Sequence, residues 1–211
     1  MNKLLSILLT TAMLLSGCRE NRSITDSTTK YDLPRMEQLG PNQLPYQLMQ
    51  DGMLRSEQYA GGNTLVVDPH FYDAKLVDRG DVIYYKTSAT DEEIKNKKRM
   101  EFDVARVIAL PGETVTVQKG QVYINGHRLD TFYGKEYYDG KFINGTKNSY
   151  TMPDSIDVPP NHYILAGDVW WRVGIIEDPV SNEDIRGGVV GWIKKEIKKV
   201  PFNPKDYPMH F

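Results

Sequence analysis

Ala105-Arg-Val-Ile-Ala-Leu-Pro-Gly-Glu113 is the stretch that decides the fold of this 211-residue chain. Val107 and Ile108 are β-branched, and such residues favour strands. Pro111-Gly112 follows within a few residues, and this pair ends a strand and starts a tight turn. The pattern predicts a buried strand over residues 103–109 that stops before the proline.

The residues after this strand predict a hairpin. Residues 114–118 alternate between polar and apolar side chains, Lys119-Gly120 is a turn signal, and residues 121–124 supply the returning strand. Asn125-Gly126 predicts a second tight turn directly afterwards. Other short runs rich in Val, Ile, Tyr and Thr predict strands at 64–68, 81–86, 162–166 and 188–193. Because these runs are short and closely spaced, we expect a mostly β, antiparallel fold.

The expected β domain covers residues 44–200, and residues 201–211 form a C-terminal tail. Within the domain, the segment at about 130–160 has a different composition, since six Tyr or Phe residues stand among Gly, Asn and Lys. We expect an inserted irregular lobe there. The charged segment 91–100 is expected to be a solvated helical turn or loop that joins two strands.

The first 17 residues have the pattern of a secretory signal peptide. Lys3 precedes an uncharged apolar run, Leu4 to Leu15, which is shorter than the ~20 apolar residues that cross a bilayer. Cys18 follows, and as the only cysteine of the chain it cannot form an internal disulfide. Residues 18–43 are rich in Ser, Thr, Asn and Asp, so we expect them to form a flexible tether.

Two sets of residues resemble known families. Leu15-Ser-Gly-Cys18 resembles the lipobox of bacterial lipoproteins, which implies cleavage before Cys18 and attachment of acyl chains to it, at the extracytoplasmic face of the membrane. The stretch 105–113 is followed in order by Val122-Tyr-Ile-Asn-Gly126 and Gly167-Asp168. This ordered set resembles the type I signal peptidases (S26 serine peptidases) over about residues 50–195, which implies their β fold.

The second resemblance also implies where catalytic residues would lie. Members of that family use a Ser nucleophile and a Lys base whose amine is desolvated, so that it is neutral at about pH 7. Gly52 occupies the Ser position here, and Ala105 occupies the Lys position. An ungapped alignment places Leu54 at the Ser position instead. None of these side chains can attack a carbonyl or accept a proton, so we expect no catalytic residue at either position.

Other residues near these positions are weaker candidates. Ser56 is the fallback nucleophile if the loop is shifted, although a solvated Ser is the simpler interpretation because no base is apparent. The family continues its Gly-Asp motif with Asn-Arg, whereas this chain continues with Val169-Trp-Trp-Arg. Trp170 and Trp171, together with Met53, are candidates for docking a peptide. Core packing of at least one tryptophan is the alternative.

The composition excludes several classes of function. The formal net charge of -2 gives no general attraction to nucleic acid. The four histidines are scattered, and none has a partner at a metal-ligand spacing. We therefore expect no nucleic-acid partner, no metal and no cofactor.

Three functions remain open at this point. The first is a non-catalytic, membrane-anchored lipoprotein that binds an exported peptide or an active signal peptidase during secretion. The second is an active serine-type signal peptidase whose site is rearranged around Ser56. The third is a structural surface lipoprotein.

Replacing the cysteine tests the lipid anchor. The Cys18→Ala variant lacks the thiol that would carry the lipid, so we expect it to lose lipid labelling and to be released or misprocessed. Metabolic labelling with a tagged fatty acid, followed by membrane fractionation, measures both effects. Labelling that persists in the variant would contradict the lipobox interpretation.

Overall fold

The structure of the chain, a computed structural model, describes residues 23–49, 51–136, 151–170 and 174–195. Its helical elements are α1 (Asp91–Lys95) and two 3-10 helices, Glu57–Tyr59 and Asn182–Asp184. Its strands are β1 (Ser23–Thr25), β2 (Leu44–Tyr46), β3 (Thr64–Asp68), β4 (Val82–Lys86), β5 (Phe102–Ala109), β6 (Thr114–Gln118), β7 (Gln121–Ile124), β8 (His127–Asp130), β9 (Ile156–Asp157), β10 (His162–Ala166), β11 (Ile175–Ser181) and β12 (Ile185–Ile193).

The strands form two sheets. The larger sheet has the order β11-β10-β5-β4-β12-β3-β2, and the smaller sheet has the order β1-β8-β7-β6-β9. Neighbouring strands are antiparallel, apart from β1 and β8, which are parallel. The mostly β, antiparallel fold is therefore confirmed. The runs that predicted strands correspond to β3 to β7, β10 and β12, whereas β1, β2, β8, β9 and β11 were not predicted.

The predicted turns have the backbone geometry that their residues favour. Lys119 and Gly120, between β6 and β7, have φ values of 50° and 74°. Asn125 and Gly126, between β7 and β8, have φ values of 51° and 77°. Positive φ at both central residues is what a two-residue hairpin turn of type I′ requires. These turns fix the register of the smaller sheet.

The core packs around β5. Every residue of this strand from Asp103 to Ala109 is buried. Ile108 packs in a hydrophobic cluster with the smaller sheet, Val107 packs with residues of β4 and β10, and Val104 packs with residues of β3 and β12. Since one strand contributes to all three clusters, β5 determines how the two sheets meet.

Arg106 is charged but only 2% exposed, in the middle of β5. Its Nε and Nη2 donate to the two carboxylate oxygens of Asp168, each at 2.7 Å, and its Nη1 donates to the carbonyl of Gly80. Burial alone would lower the pKa of Arg106, but the Asp168 carboxylate holds that pKa above its ordinary value. This bidentate pair fastens the segment after β10 to β5.

Residues 23–36 form an N-terminal strap over the β domain. The strap begins with β1, which pairs with β8 of the smaller sheet. Farther along, Trp192 N donates to Pro34 O at 3.1 Å, and Met36 N donates to Trp192 O at 2.8 Å. The strap thus contacts both sheets. This differs from the flexible tether expected over residues 18–43, because the few apolar residues of that segment find partners on the domain.

A glycine of β12 lets the strap lie close to the sheet. A methyl group at Gly191 would be 2.6 Å from Met36 Sδ and 2.9 Å from Pro34 O. Distances under 3 Å are shorter than real Cβ contacts, so a larger residue at this position has to displace the strap.

Asp26 fastens the first turn of the strap. Its Oδ1 accepts from the backbone N–H groups of Thr28 and Thr29, each at 2.9 Å, and its Oδ2 accepts from the Tyr133 hydroxyl at 2.7 Å. Burial would raise the pKa of Asp26, but these hydrogen bonds bring it below its ordinary value. The ionised carboxylate therefore stabilises the docked strap at and above the ordinary pKa of Asp, and this contribution is lost as the pH falls through the lowered pKa.

Some expected regions fall on residues that the structure does not describe. These are the signal peptide 1–17, the tail 201–211 and residues 137–150 of the inserted lobe. The described parts of the lobe, up to residue 136 and from residue 151, are loops, turns and the two-residue strand β9. The charged segment 91–100 begins with α1, which has a capping box formed by Thr90 and Glu93.

A pair of glycine variants tests the docking of the strap. We expect Gly191→Ala to push Met36 away and to make residues 23–36 susceptible to limited proteolysis. Gly61→Ala is the matched control, because a methyl group at Gly61 has no neighbour within 4 Å among the described residues. Equal protection of the strap in both variants would show that it does not depend on this close contact.

The buried ion pair has its own test. Asp168→Asn leaves the Arg106 charge buried and only partly paired, and we expect it to lower the free energy of unfolding by about 3–5 kcal/mol, as measured by urea denaturation. Asp130→Asn is the control, because the Arg128–Asp130 pair has side chains that are 48% and 52% exposed. Asp130→Asn should lower the free energy of unfolding much less than Asp168→Asn does. Similar losses in the two variants would contradict the importance of the buried pair.

Candidate functional site

A small cavity lies at one side of β5, where the loop before β3 and the segment after β10 approach this strand. Its volume is about 10 Å³. A cavity of roughly 10–15 Å³ is the smallest that can hold one water molecule. It is lined by Leu48, Gly52, Met53, Tyr85, Asp103, Val104, Ala105, Gly167 and Ile176.

Gly52 and Ala105 both line this cavity, although they are far apart in sequence. Ala105 is 3% exposed on β5. Gly52 is held in place by a hydrogen bond from Val169 N to Gly52 O at 2.8 Å, and Val169 directly follows the ion-paired Asp168. The two positions to which the family resemblance assigns a nucleophile and a base therefore border the same cavity. Gly52 presents a hydrogen atom there and Ala105 presents a methyl group.

Asp103 and Tyr85 are the polar side chains among the residues that line this cavity. Asp103 is 8% exposed, and its Oδ1 accepts from Val104 N at 2.8 Å and from the Tyr46 hydroxyl at 3.3 Å. Burial, and then the Asp103 carboxylate, raise the pKa of both Tyr46 and Tyr85 above the ordinary value. Both phenols therefore stay protonated at neutral pH, and neither can serve as a general base.

Tyr46 and Asp103 occupy the free edge of β5 beside the cavity. In the described part of the chain, β10 pairs with β5 at Arg106, Val107 and Ala109 but not with the residues before them. At that unpaired stretch, the Tyr46 hydroxyl donates to Phe102 O at 3.0 Å, and Val104 N donates to Asp103. Side chains of the protein thus already satisfy two of the backbone groups that an added strand would use.

Ser56, the fallback nucleophile, lies outside the cavity lining. It precedes the 3-10 helix Glu57–Tyr59, but its side chain does not cap that helix. Its Oγ is buried and has no hydrogen-bond partner among the described residues. No Lys or His of the described chain is therefore within hydrogen-bond reach of this hydroxyl. Leu54, the alternative from an ungapped alignment, is 45% exposed and also does not line the cavity.

Two of the candidates for peptide docking, Met53 and Trp170, lie in the core, and for Trp170 this is the core packing that was the alternative. Met53 is 2% exposed and packs with Tyr59, Leu65 and Trp192. Trp170 is 4% exposed and packs in the cluster that contains Tyr133. Both side chains belong to the hydrophobic core, since their large apolar surfaces are buried there, so neither offers a surface to a peptide in this conformation. Trp171 and Cys18 lie outside the described residues.

Sequence reasoning missed the residues that fill and border the cavity. Asp103 was within reach of a sequence argument, because residues two apart on a strand point to the same face and Ala105 was already known to matter. Leu48, Ile176 and Tyr46 had no such signal, since they come from distant parts of the chain. Their positions depend on how the loop before β3 and strand β11 pack against β5.

The described residues contain neither a group of metal ligands nor a membrane-spanning helix. Among residues 23–49, 51–136, 151–170 and 174–195, no three His, Cys, Asp or Glu side chains are grouped so that they could hold a metal ion. In the same part of the chain, no helix has both the length and the apolar character needed to cross a membrane.

Comparison with known proteins shows what this arrangement is related to. The chain is 26% identical over 121 residues to signal peptidase I V of Bacillus subtilis, a match that covers 56% of this chain and 66% of the relative. It is 30% identical over 109 residues to a probable signal peptidase I-2 of Synechocystis sp., covering 49% of this chain and 41% of the relative. The match thus spans about two fifths to two thirds of these curated relatives.

A solved structure and a family model complete the comparison. A crystal structure of a signal peptidase I from Enterococcus faecalis matches 55% of this chain and 97% of its own chain, with 23% identity and a TM-score of 0.37. The model of the family described as signal peptidase, peptidase S26, matches residues 43–170. That range is more than half of the chain and includes Gly52, Ala105 and Asp168. The chain belongs to the signal peptidase family, peptidase S26.

Proposed function

We propose that this chain is a non-catalytic, lipid-anchored member of the signal peptidase family that serves as an accessory protein in secretion. The observation that carries the proposal is the meeting of Gly52 and Ala105 at one cavity of about 10 Å³. The arrangement of the backbone supports the assignment of these two residues to the positions of nucleophile and base. Their side chains supply neither function.

The cavity lacks the space for a Lys side chain as well as the catalytic groups themselves. A Lys side chain at position 105 needs four methylenes and an ammonium group, whereas the cavity has room for about one water molecule. Leu48 and Ile176 line the cavity and limit its size. General base catalysis alone contributes about 10²–10⁴-fold to a rate, and the nucleophile is missing as well. The site therefore lacks both chemical groups and the volume for the larger one.

An active serine peptidase is the second candidate, because the curated relatives are named signal peptidases. Ser56 is the hydroxyl that this candidate would use. The structure argues against this candidate, because Ser56 Oγ is buried and has no hydrogen-bond partner among the described residues. An alcohol without a base in reach is a weak nucleophile.

The lipid anchor is part of the proposal and rests on Leu15-Ser-Gly-Cys18. One acyl chain binds a membrane only marginally, whereas two or more give stable attachment. A diacylglyceryl group on Cys18 would therefore hold the domain at the extracytoplasmic face of the membrane, where exported proteins emerge. A structural surface lipoprotein would share this anchor but would capture neither a peptide nor a peptidase in cross-linking experiments.

A preprotein cleavage assay tests the absence of catalysis. We expect the purified, membrane-reconstituted chain to leave a signal-peptide-bearing preprotein intact, and Ser56→Ala to behave as the wild type. Ser155→Ala is the matched control, because Ser155 is an exposed residue that does not line the cavity. An active signal peptidase added to the same vesicles shows that the preprotein is cleavable.

The outcomes separate the two candidates. Cleavage by the wild type that is lost in Ser56→Ala but kept in Ser155→Ala would overturn the proposal and assign the nucleophile. Intact preprotein in all three samples supports a non-catalytic chain.

A further inference from the structure

The spacer between the lipid-bearing cysteine and the first described strand is short. Four residues, 19–22, separate Cys18 from Ser23. Even fully extended, this length of chain spans at most about 18 Å between the two Cα atoms. Wherever β1 lies on the domain, that part of the domain must therefore be close to the surface of the membrane.

β1 is fixed on the domain. Its register with β8 pairs Ser23 with Arg128 and Thr25 with Asp130. Ile24 packs against the hydrophobic cluster of the smaller sheet, and the next residue after the strand, Asp26, is bonded to Tyr133. The short spacer is therefore attached to a defined edge of the folded domain.

Two exposed side chains, Tyr31 and Leu54, and the half-buried Phe132 lie next to this edge. Phe132 follows β8 by two residues, and its ring contacts that of Tyr31 with the centroids 5.2 Å apart. The Tyr31 hydroxyl donates to Arg55 O at 2.9 Å, which places Leu54 beside it. Tyr31 is 38% exposed and Leu54 is 45% exposed. We call Tyr31, Leu54 and Phe132 the anchor-side corner.

We propose that the anchor-side corner faces the bilayer and contacts its headgroup region. The proposal rests on the lipidation of Cys18 proposed above. The occupant of the corner is a lipid surface because the spacer holds Ser23 within about 18 Å of Cys18. Thr25, at the other end of β1, pairs with Asp130, which precedes Phe132 by two residues. Tyr31 has the amphipathic ring that prefers membrane interfaces. Lys30 and Lys135 are exposed beside the corner, as is Asp32, so the charge there is mixed and the apolar side chains carry the proposal.

α1 lies at the end of β4 that is away from the strap. The strap passes Gly80 just before β4, where a methyl group would be 2.1 Å from Thr29 Oγ1. α1 follows the other end of β4, which is five residues long. At ~3.3 Å per residue this strand alone separates the two ends by about 16 Å. Because anionic headgroups repel carboxylates, we expect the acidic first turn of α1, with Asp91, Glu92 and Glu93, to stay in solvent.

A depth measurement on the full chain tests the orientation. Because lipidation consumes the only native cysteine, Leu54→Cys offers a single thiol for an environment-sensitive fluorophore. The lipidated protein is reconstituted in vesicles of phosphatidylglycerol and phosphatidylethanolamine that contain lipids spin-labelled near the headgroup. Glu92→Cys, on an exposed residue of α1, is the matched control, and Tyr31→Cys gives a second position in the corner.

We expect quenching at positions 54 and 31 to be several-fold stronger than at position 92. Mass spectrometry of the same samples reports whether Cys18 carries lipid. Equal quenching at all three positions, or stronger quenching at 92, in a lipidated sample would overturn the orientation and leave the proposed anchor intact. An unlipidated Cys18 would overturn the anchor, and with it this inference.

Discussion

The buried pair of Arg106 and Asp168 is the constraint on which the rest of the structure depends. Two hydrogen bonds of 2.7 Å lock the segment after β10 against the middle of β5. The next residue, Val169, then holds Gly52 by a backbone hydrogen bond, and this brings Gly52 to the cavity that Ala105 lines. The charge pair thus positions Gly52 beside the cavity that Ala105 lines, and these are the two positions to which the family resemblance assigns a nucleophile and a base.

The proposed loss of catalysis leaves a function that needs the shape of the domain. The free edge of β5 is partly satisfied by Tyr46 and Asp103, the cavity holds little more than one water molecule, and the strap fixes β1 near a proposed lipid anchor. Each of these features favours a stable domain held at a membrane over a cleft that turns over substrate. Fold and activity are separate properties, and here the fold has the stronger support.

The strands at the centre of the sheets were predictable, because their signals are local. Val107 and Ile108 favour a strand, Pro111-Gly112 ends it, and Lys119-Gly120 turns the hairpin. β1 and β2 gave no such signal, since Ser-Ile-Thr and Leu-Pro-Tyr are too short and obtain their partners from β8 and β3. Gly52 and Ala105 were found through family resemblance. The burial of Met53 and Trp170, by contrast, is decided by tertiary packing, which no spacing in the sequence reveals.

The most direct test of the central claim is a double-mutant cycle that fills the cavity from both sides. Gly52→Ala and Ala105→Val each add methyl groups to a space with room for about one water molecule, so together they should overpack it. We predict that the loss of unfolding free energy in the double variant exceeds the sum of the single losses by about 1 kcal/mol or more. Losses that add within about 0.3–0.5 kcal/mol would contradict the shared cavity, and with it the assignment of both positions.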